Sequence, residues 1–162
     1  MRQVVPKLLI PNDLLKKLNT EVSQAGENEI GGVMVGEHIG DCIFKLVNFS
    51  IQHEGGSACH FNRDPKMHHK FLNEFFEQTN HNYKRFNYLG EWHSHPSFPT
   101  TPSKADIKSM TELIMDPEQN ATFAFLLICR SDSRDKMDIK ATVFQPNKKM
   151  REAEITVING NK

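Results

Sequence analysis

A chain of 162 residues with 20 basic and 20 acidic side chains has no net charge, so bulk electrostatics gives no pull toward nucleic acid or an anionic membrane. The length suits one domain, residues 1–162, with a sizeable hydrophobic core. Cys42, Cys59 and Cys129 are odd in number and share no zinc-finger or redox spacing, which points to a reducing compartment and excludes a disulfide framework.

The opening residues, Met1 to Ile10, hold a short apolar stretch broken by Pro6 and Lys7. It is too short for a signal sequence or a membrane span, so a soluble, cytoplasmic protein is expected. Val4 to Ile10 reads as a first strand. Pro11-Asn12-Asp13 opens a helix whose apolar residues, Leu14, Leu15, Leu18 and Val22, recur at helical spacing until Gly26 stops it. Ile30 to Gly36 and Cys42 to Ile51 are strands, with Glu37 to Asp41 as the hairpin loop between them. Residues 52–64, with Gly55-Gly56, lack periodicity and sit where a substrate-contacting loop or an ordinary surface loop would lie.

Asp64-Pro65 predicts a capped helix start, followed by an apolar stripe of Met67, Phe71, Leu72, Phe75 and Phe76. His68-His69 on that helix reads as a solvated or partly buried pair, and His60 and His81 have no partner spacing for a second site. Cys59 lacks any motif that would make it a nucleophile. Phe86 to Trp92 is a strand running into a histidine pair. Ser103 to Met115 is helical and ends at Asp116-Pro117. Thr122 to Cys129 and Met137 to Phe144 are core strands around a charged turn, the run Lys148 to Arg151 is a solvated turn, and Ile155 to Ile158 is a short last strand. This order of strands and helices predicts a mixed α/β (α+β) fold with helices packed on a sheet.

The chemistry concentrates in His93-Ser94-His95-Pro96 and Ser103-Lys104-Ala105-Asp106. Side chains alternate along a strand, so His93 and His95 share a face, with Cα atoms roughly 6–7 Å apart. Two imidazoles so placed can converge on one ion, and Pro96 ends the strand directly after them. Asp106 lies one turn into the following helix, on the side of Ser103, and a folded-back loop would bring its carboxylate to the histidines. Two histidines and one aspartate leave a fourth tetrahedral position open, as a catalytic zinc site requires. Each piece alone has a plainer explanation: His-x-His is a common pair, and Ser103-x-x-Asp106 also fits a helix capping box.

His-Ser-His-Pro, six residues, then Ser-x-x-Asp resembles the JAMM motif of the JAB1/MPN/Mov34 metalloenzyme family. That family carries an upstream glutamate heading a glycine-rich strand, and Glu29-Ile30-Gly31-Gly32-Val33-Met34-Val35-Gly36 is similar to it. The resemblance spans nearly the whole chain. It implies a JAB/MPN fold, a mixed sheet flanked by helices with cytidine-deaminase-like architecture. It also implies a Zn2+ ion on His93, His95 and Asp106, with Glu29 as general base and the Ser103 hydroxyl steadying the oxyanion. One departure bears on these roles. Glu91 stands where eukaryotic relatives usually have tryptophan, and by strand alternation it shares the histidines' face, which makes it a rival for base or ligand.

The compact chain and the string Gly90-Glu91-Trp92-His93 look most like small bacterial JAB deconjugases of antiphage CBASS operons or ubiquitin-like pathways. Such enzymes cut an amide or isopeptide bond after the C-terminus of a ubiquitin-like modifier or conjugated protein. The implied partner is therefore a protein substrate, with no nucleic acid and no membrane. Zinc nucleoside deaminases need His-x-Glu and a later Pro-Cys-x-x-Cys, which this chain lacks. Amidohydrolase barrels need about 250 residues. A non-catalytic MPN scaffold is the remaining alternative, although such scaffolds usually lose the ligands that this sequence keeps.

Overall fold

A computed structural model describes residues 4–53, 56, 65–132 and 136–159. Cys59, His60, Asp64 and most of the 52–64 segment lie outside the described residues. Strand β1 (Lys7–Pro11) leads directly into helix α1 (Asn12–Ala25), followed by β2 (Gly31–Gly40), β3 (Ile43–Phe49) and α2 (Pro65–Gln78). The chain continues through β4 (Phe86–Ser94), α3 (Lys104–Met115), β5 (Ala124–Ser131), β6 (Met137–Phe144), β7 (Arg151–Glu152) and β8 (Glu154–Ile158).

The strands form one mixed sheet in the order β7-β6-β5-β4-β2-β3-β1-β8. β4 lies inside it, antiparallel to β2 and parallel to β5. Strand alternation divides the core between two faces. Trp92, Phe125, Leu127 and Cys129 pack with Leu18 and Val22 of α1, while Leu126 and Ile128 pack with Met110 and Ile114 of α3. In register, Glu91 pairs with Leu126 and His93 with Ile128, so both point toward the α3 face, whereas Trp92 points to the α1 face. Burying a large apolar side chain such as Trp92 contributes on the order of 2–3 kcal/mol, and Trp92 is almost fully buried.

Gly90 is required by the backbone. Its φ of 140° is a conformation that side chains disfavour, and a Cβ there would fall 1.9 Å from the Phe125 carbonyl oxygen. The same holds sterically for Gly32, where a Cβ would fall 2.1 Å from the Ser50 carbonyl oxygen.

Four expectations need correction. Val4 to Pro6 lies outside β1, because Pro6 precedes the parallel pairing of Lys7 with Ile43. The expected loop Glu37 to Gly40 is the end of β2: Glu37 pairs with Lys45 and Phe86, and its carboxylate takes the Arg85 Nε–H at 2.6 Å. Polar residues at a solvated strand end had looked like a loop, and the turn contracts to Asp41-Cys42. On α2 the buried positions are His68 and Phe75, while Met67 is exposed. The stripe is thus rotated from its expected phase because a histidine takes one of its inner positions. The Lys148–Arg151 run is solvated up to Met150, but Arg151 begins β7, pairing with Val143. No helix among the described residues is long and apolar enough to cross a membrane.

Candidate metal centre

β4 delivers His93 to the α3 face of the sheet, and the chain leaves the strand so that His95 follows on the same side. The turn after Pro96 brings the chain back: the His95 amide donates to the Cys129 carbonyl at 2.9 Å, and the Pro99 carbonyl accepts from His95 Nδ1 at 2.8 Å. With Nδ1–H committed to Pro99, the neutral ring presents the Nε2 lone pair inward, which is the tautomer a metal ligand needs.

Asp106 comes from the first turn of α3. Ser103 caps that helix, its hydroxyl accepting the Asp106 N–H at 3.1 Å while its own N–H donates to Asp106 Oδ2 at 2.8 Å. The capping box is therefore real, and it does not compete with a ligand role. It holds the carboxylate by its backbone side and turns it toward the histidines. His93 Nε2 lies 3.3 Å from Asp106 Oδ1, His95 Nε2 lies 3.3 Å from Asp106 Oδ2, and the two Nε2 atoms are 3.1 Å apart.

These spacings test the fit of an ion. For a tetrahedral centre bonded at about 2.0–2.1 Å, neighbouring ligand atoms sit about 3.3–3.4 Å apart. The two Nε2 atoms, 3.1 Å apart, come within a few tenths of an ångström of one such edge, and each lies 3.3 Å from a different oxygen of the Asp106 carboxylate, so both imidazoles and the carboxylate can meet on one ion. Among the described residues, this is the group of His, Cys, Asp and Glu side chains whose ligand atoms lie within 4.8 Å of one another. Glu91 shares the histidines' face but lies outside that group, in a half-buried position.

The electrostatics agree with three electron-rich atoms meeting at one point. Burial pushes the Asp106 carboxyl up, but hydrogen bonds from His93 and His95 outweigh it and hold the group far below the usual carboxylate range. Burial likewise disfavours charge on His95. Hydrogen bonds to Asp106 and the Pro99 carbonyl, with the charges of Asp106 and Glu29, prevail and raise its pKa above the ordinary 6.5.

Glu29 is buried and precedes β2. Its neighbour Ile30 is clamped to the ligand strand from both sides: the Ile30 N–H donates to Ser94 Oγ at 3.0 Å, and the Ser94 N–H donates to the Ile30 carbonyl at 2.9 Å. The structure thus brings His93, His95, Asp106 and Ser103 together and sets Glu29 within electrostatic reach of His95. Ser94 and the Pro99 carbonyl are supporting groups that the sequence did not single out. Ser94 had a visible signal, a serine between two histidines with its side chain on the opposite face. The Pro99 contact is made by backbone and left none. His68, expected to be solvated or partly buried, is 1% exposed.

Comparison with known proteins gives the same direction. The profile of prokaryotic homologs of the JAB domain matches residues 11–144. A protein called CD-NTase/cGAS isopeptidase from Escherichia coli (strain TW11681) is 28% identical over 145 residues, covering 88% of this chain and 89% of that protein. A protein of the same name from Enterobacter hormaechei subsp. hoffmannii (strain UCI 50) is 22% identical over 144 residues, covering 84% and 74%. The solution structure of protein DSY2949 from Desulfitobacterium hafniense superposes with a TM-score of 0.72 at 21% identity, covering 94% of both chains, and so shares the fold. With the profile running from Pro11 to Phe144, through β2 to β6 and the cluster of His93, His95 and Asp106, the chain belongs to the prokaryotic JAB-domain family.

Proposed function

We propose that residues 1–162 form one zinc-dependent JAB isopeptidase, hydrolysing an amide or isopeptide bond after the C-terminus of a ubiquitin-like modifier or conjugated protein. The observation that carries this reading is the convergence of His93, His95 and Asp106, with the two Nε2 atoms 3.1 Å apart and each 3.3 Å from one oxygen of the carboxylate. The isopeptidase names of the two bacterial relatives support a protein substrate, and the setting we propose is an antiphage, CBASS-like or ubiquitin-like pathway in the cytoplasm.

A zinc ion on these three residues would supply Lewis acidity and a water nucleophile usable at neutral pH. Glu29 accepts a proton from the attacking water. As the C–N bond breaks, it passes that proton to the leaving amine, so one water is consumed and a carboxylate and an amine result. Ser103 stabilises the developing oxyanion. Its oxygen already accepts the Asp106 N–H, which leaves its O–H to donate toward the substrate. Glu91, half-buried on the same face, is assigned a substrate-facing role and not that of the base.

The test is incubation of zinc-loaded protein with fusions of ubiquitin-like modifiers to target peptides, linked by peptide or isopeptide bonds, with products read by mass spectrometry. Cleavage directly after the modifier's C-terminus is expected. Stoichiometric zinc without cleavage of any fusion would instead mark a non-catalytic scaffold.

A further inference from the structure

His68 is a buried titratable group that the proposed chemistry does not use. It sits on α2, and its ring bridges two side chains just beyond the end of β3: Nδ1 meets Ser50 Oγ at 2.5 Å and Nε2 meets Gln52 Oε1 at 3.0 Å. All three residues are buried. The donor pattern is fixed from outside the ring. Ser50 Oγ accepts the Val33 N–H at 3.0 Å, so its own O–H is available to donate to His68 Nδ1, and His68 Nε2–H donates to the Gln52 carbonyl oxygen.

Both partners of His68 hold the strand that follows Glu29. Ser50 brackets Val33, its N–H donating to the Val33 carbonyl at 2.9 Å while its Oγ takes the Val33 N–H. Gln52 brackets Gly31, its N–H donating to the Gly31 carbonyl at 2.7 Å and its carbonyl accepting the Gly31 N–H at 3.4 Å. Ser50 also reaches the ligand strand directly, because its carbonyl accepts Trp92 Nε1–H at 2.8 Å, one residue before His93. The absent side chain of Gly32 lets the Ser50 backbone approach this closely. Residues 30–33 are thus held by Ser94 on one side and by the Ser50 and Gln52 pair on the other, and one imidazole locks that pair.

We infer that His68 is a positioning residue for Glu29, fixing the start of β2 against the ligand strand through Ser50 and Gln52. This rests on the proposed role of Glu29 as base. Displacing a catalytic group by about an ångström costs on the order of a hundredfold in rate. His68→Ala, which leaves both partners without their bridge, should therefore lower kcat by about tenfold or more while KM and zinc stoichiometry hold. His68→Gln and His68→Asn each offer an amide to one of the two partners and should recover part of the loss. Phe75→Leu loosens the same inner face of α2 without touching Ser50 or Gln52, and should leave kcat at the native level at comparable loss of stability.

Two measurements need no substrate. Nitrogen chemical shifts of the His68 ring in the zinc-loaded protein should show the Nε2–H tautomer. Amide hydrogen exchange at Ile30, Gly31 and Val33 should accelerate in His68→Ala and not in Phe75→Leu. If native protein cleaves no fusion, the isopeptidase reading fails, and these two measurements still decide whether His68 orders the strand. Unchanged exchange at residues 30–33 in His68→Ala, an Nδ1–H ring, or an equal kcat loss in Phe75→Leu would each overturn the inference.

Discussion

Zinc should stabilise the metal-free protein by an amount set by how completely the site is preformed. The two Nε2 atoms already lie 3.1 Å apart, and each lies 3.3 Å from one oxygen of the Asp106 carboxylate, so little binding energy is diverted into rearranging the chain. At free zinc about a hundredfold above the dissociation constant, a ligand that binds only the folded state adds about 2.7 kcal/mol. For a domain of this size each kcal/mol moves the melting midpoint by about 2–4 °C, giving a rise of about 5–11 °C. The assay is a calorimetric melt of chelator-treated protein with and without zinc, repeated for Asp106→Asn. The asparagine can still accept the Ser103 N–H and keep the helix start, yet it removes the anionic ligand, so its zinc-induced rise should largely vanish. The readout is the difference between zinc-loaded and metal-free melts within each variant, so any change in intrinsic stability cancels. A native midpoint that zinc leaves unmoved, or an Asp106→Asn rise as large as the native one, refutes the assignment.

Glu29→Gln should lower kcat by about 10²–10⁴-fold, the usual contribution of a general base, while bound zinc stays stoichiometric by atomic absorption. Glu91→Gln should change KM more than kcat, and an inactive Glu91→Gln beside an active Glu29→Gln would reverse the two roles. In the metal-free protein His95, with its raised pKa, contributes stability that is complete below pH 6.5 and disappears as pH rises through the folded value. Asp106, with its lowered pKa, contributes stability above its ordinary 3.8 that is lost as pH falls toward the folded value. Metal-free stability from this cluster should thus peak between about pH 4 and pH 6.5. The zinc-induced rise should grow from pH 5.5 to pH 7.5, because zinc must displace the His95 proton; parallel melts across that range check both trends. Gly90→Ala sets a Cβ against the Phe125 carbonyl at a φ of 140° and should cost about 3 kcal/mol or more in urea unfolding.

The histidine pair and Asp106 were legible because their spacing is enforced by local geometry: alternation along β4 and one turn of α3. The sequence order of the core strands was legible for the same reason, through apolar runs such as Ala124 to Ile128 bounded by polar turns. What escaped was decided by partners distant in sequence. Glu37 and His38 looked like a loop because the strands that pair with them, β3 and β4, are not visible in the local pattern. β7 is two residues long and exists through its pairing with β6. His68 looked solvated because only the fold supplies Ser50 and Gln52, although its i, i+4, i+7 relation to Leu72 and Phe75 placed it on the inner face.

The capping box at Ser103 and Asp106 also shapes the order in which the site can assemble. The proposed metal ligands all fall between residues 93 and 106, thirteen positions apart, whereas Glu29 joins β4 through an Ile30–Ser94 contact that spans 64 positions. By chain entropy alone, closing the longer loop costs about 1.4 kcal/mol more than closing the shorter one. On the proposed roles, a folding chain would have the means to capture metal from one short segment, while Glu29 awaits docking of β2. Metal retention and turnover should consequently part company in partly folded or destabilised variants: such molecules can carry zinc and do no chemistry.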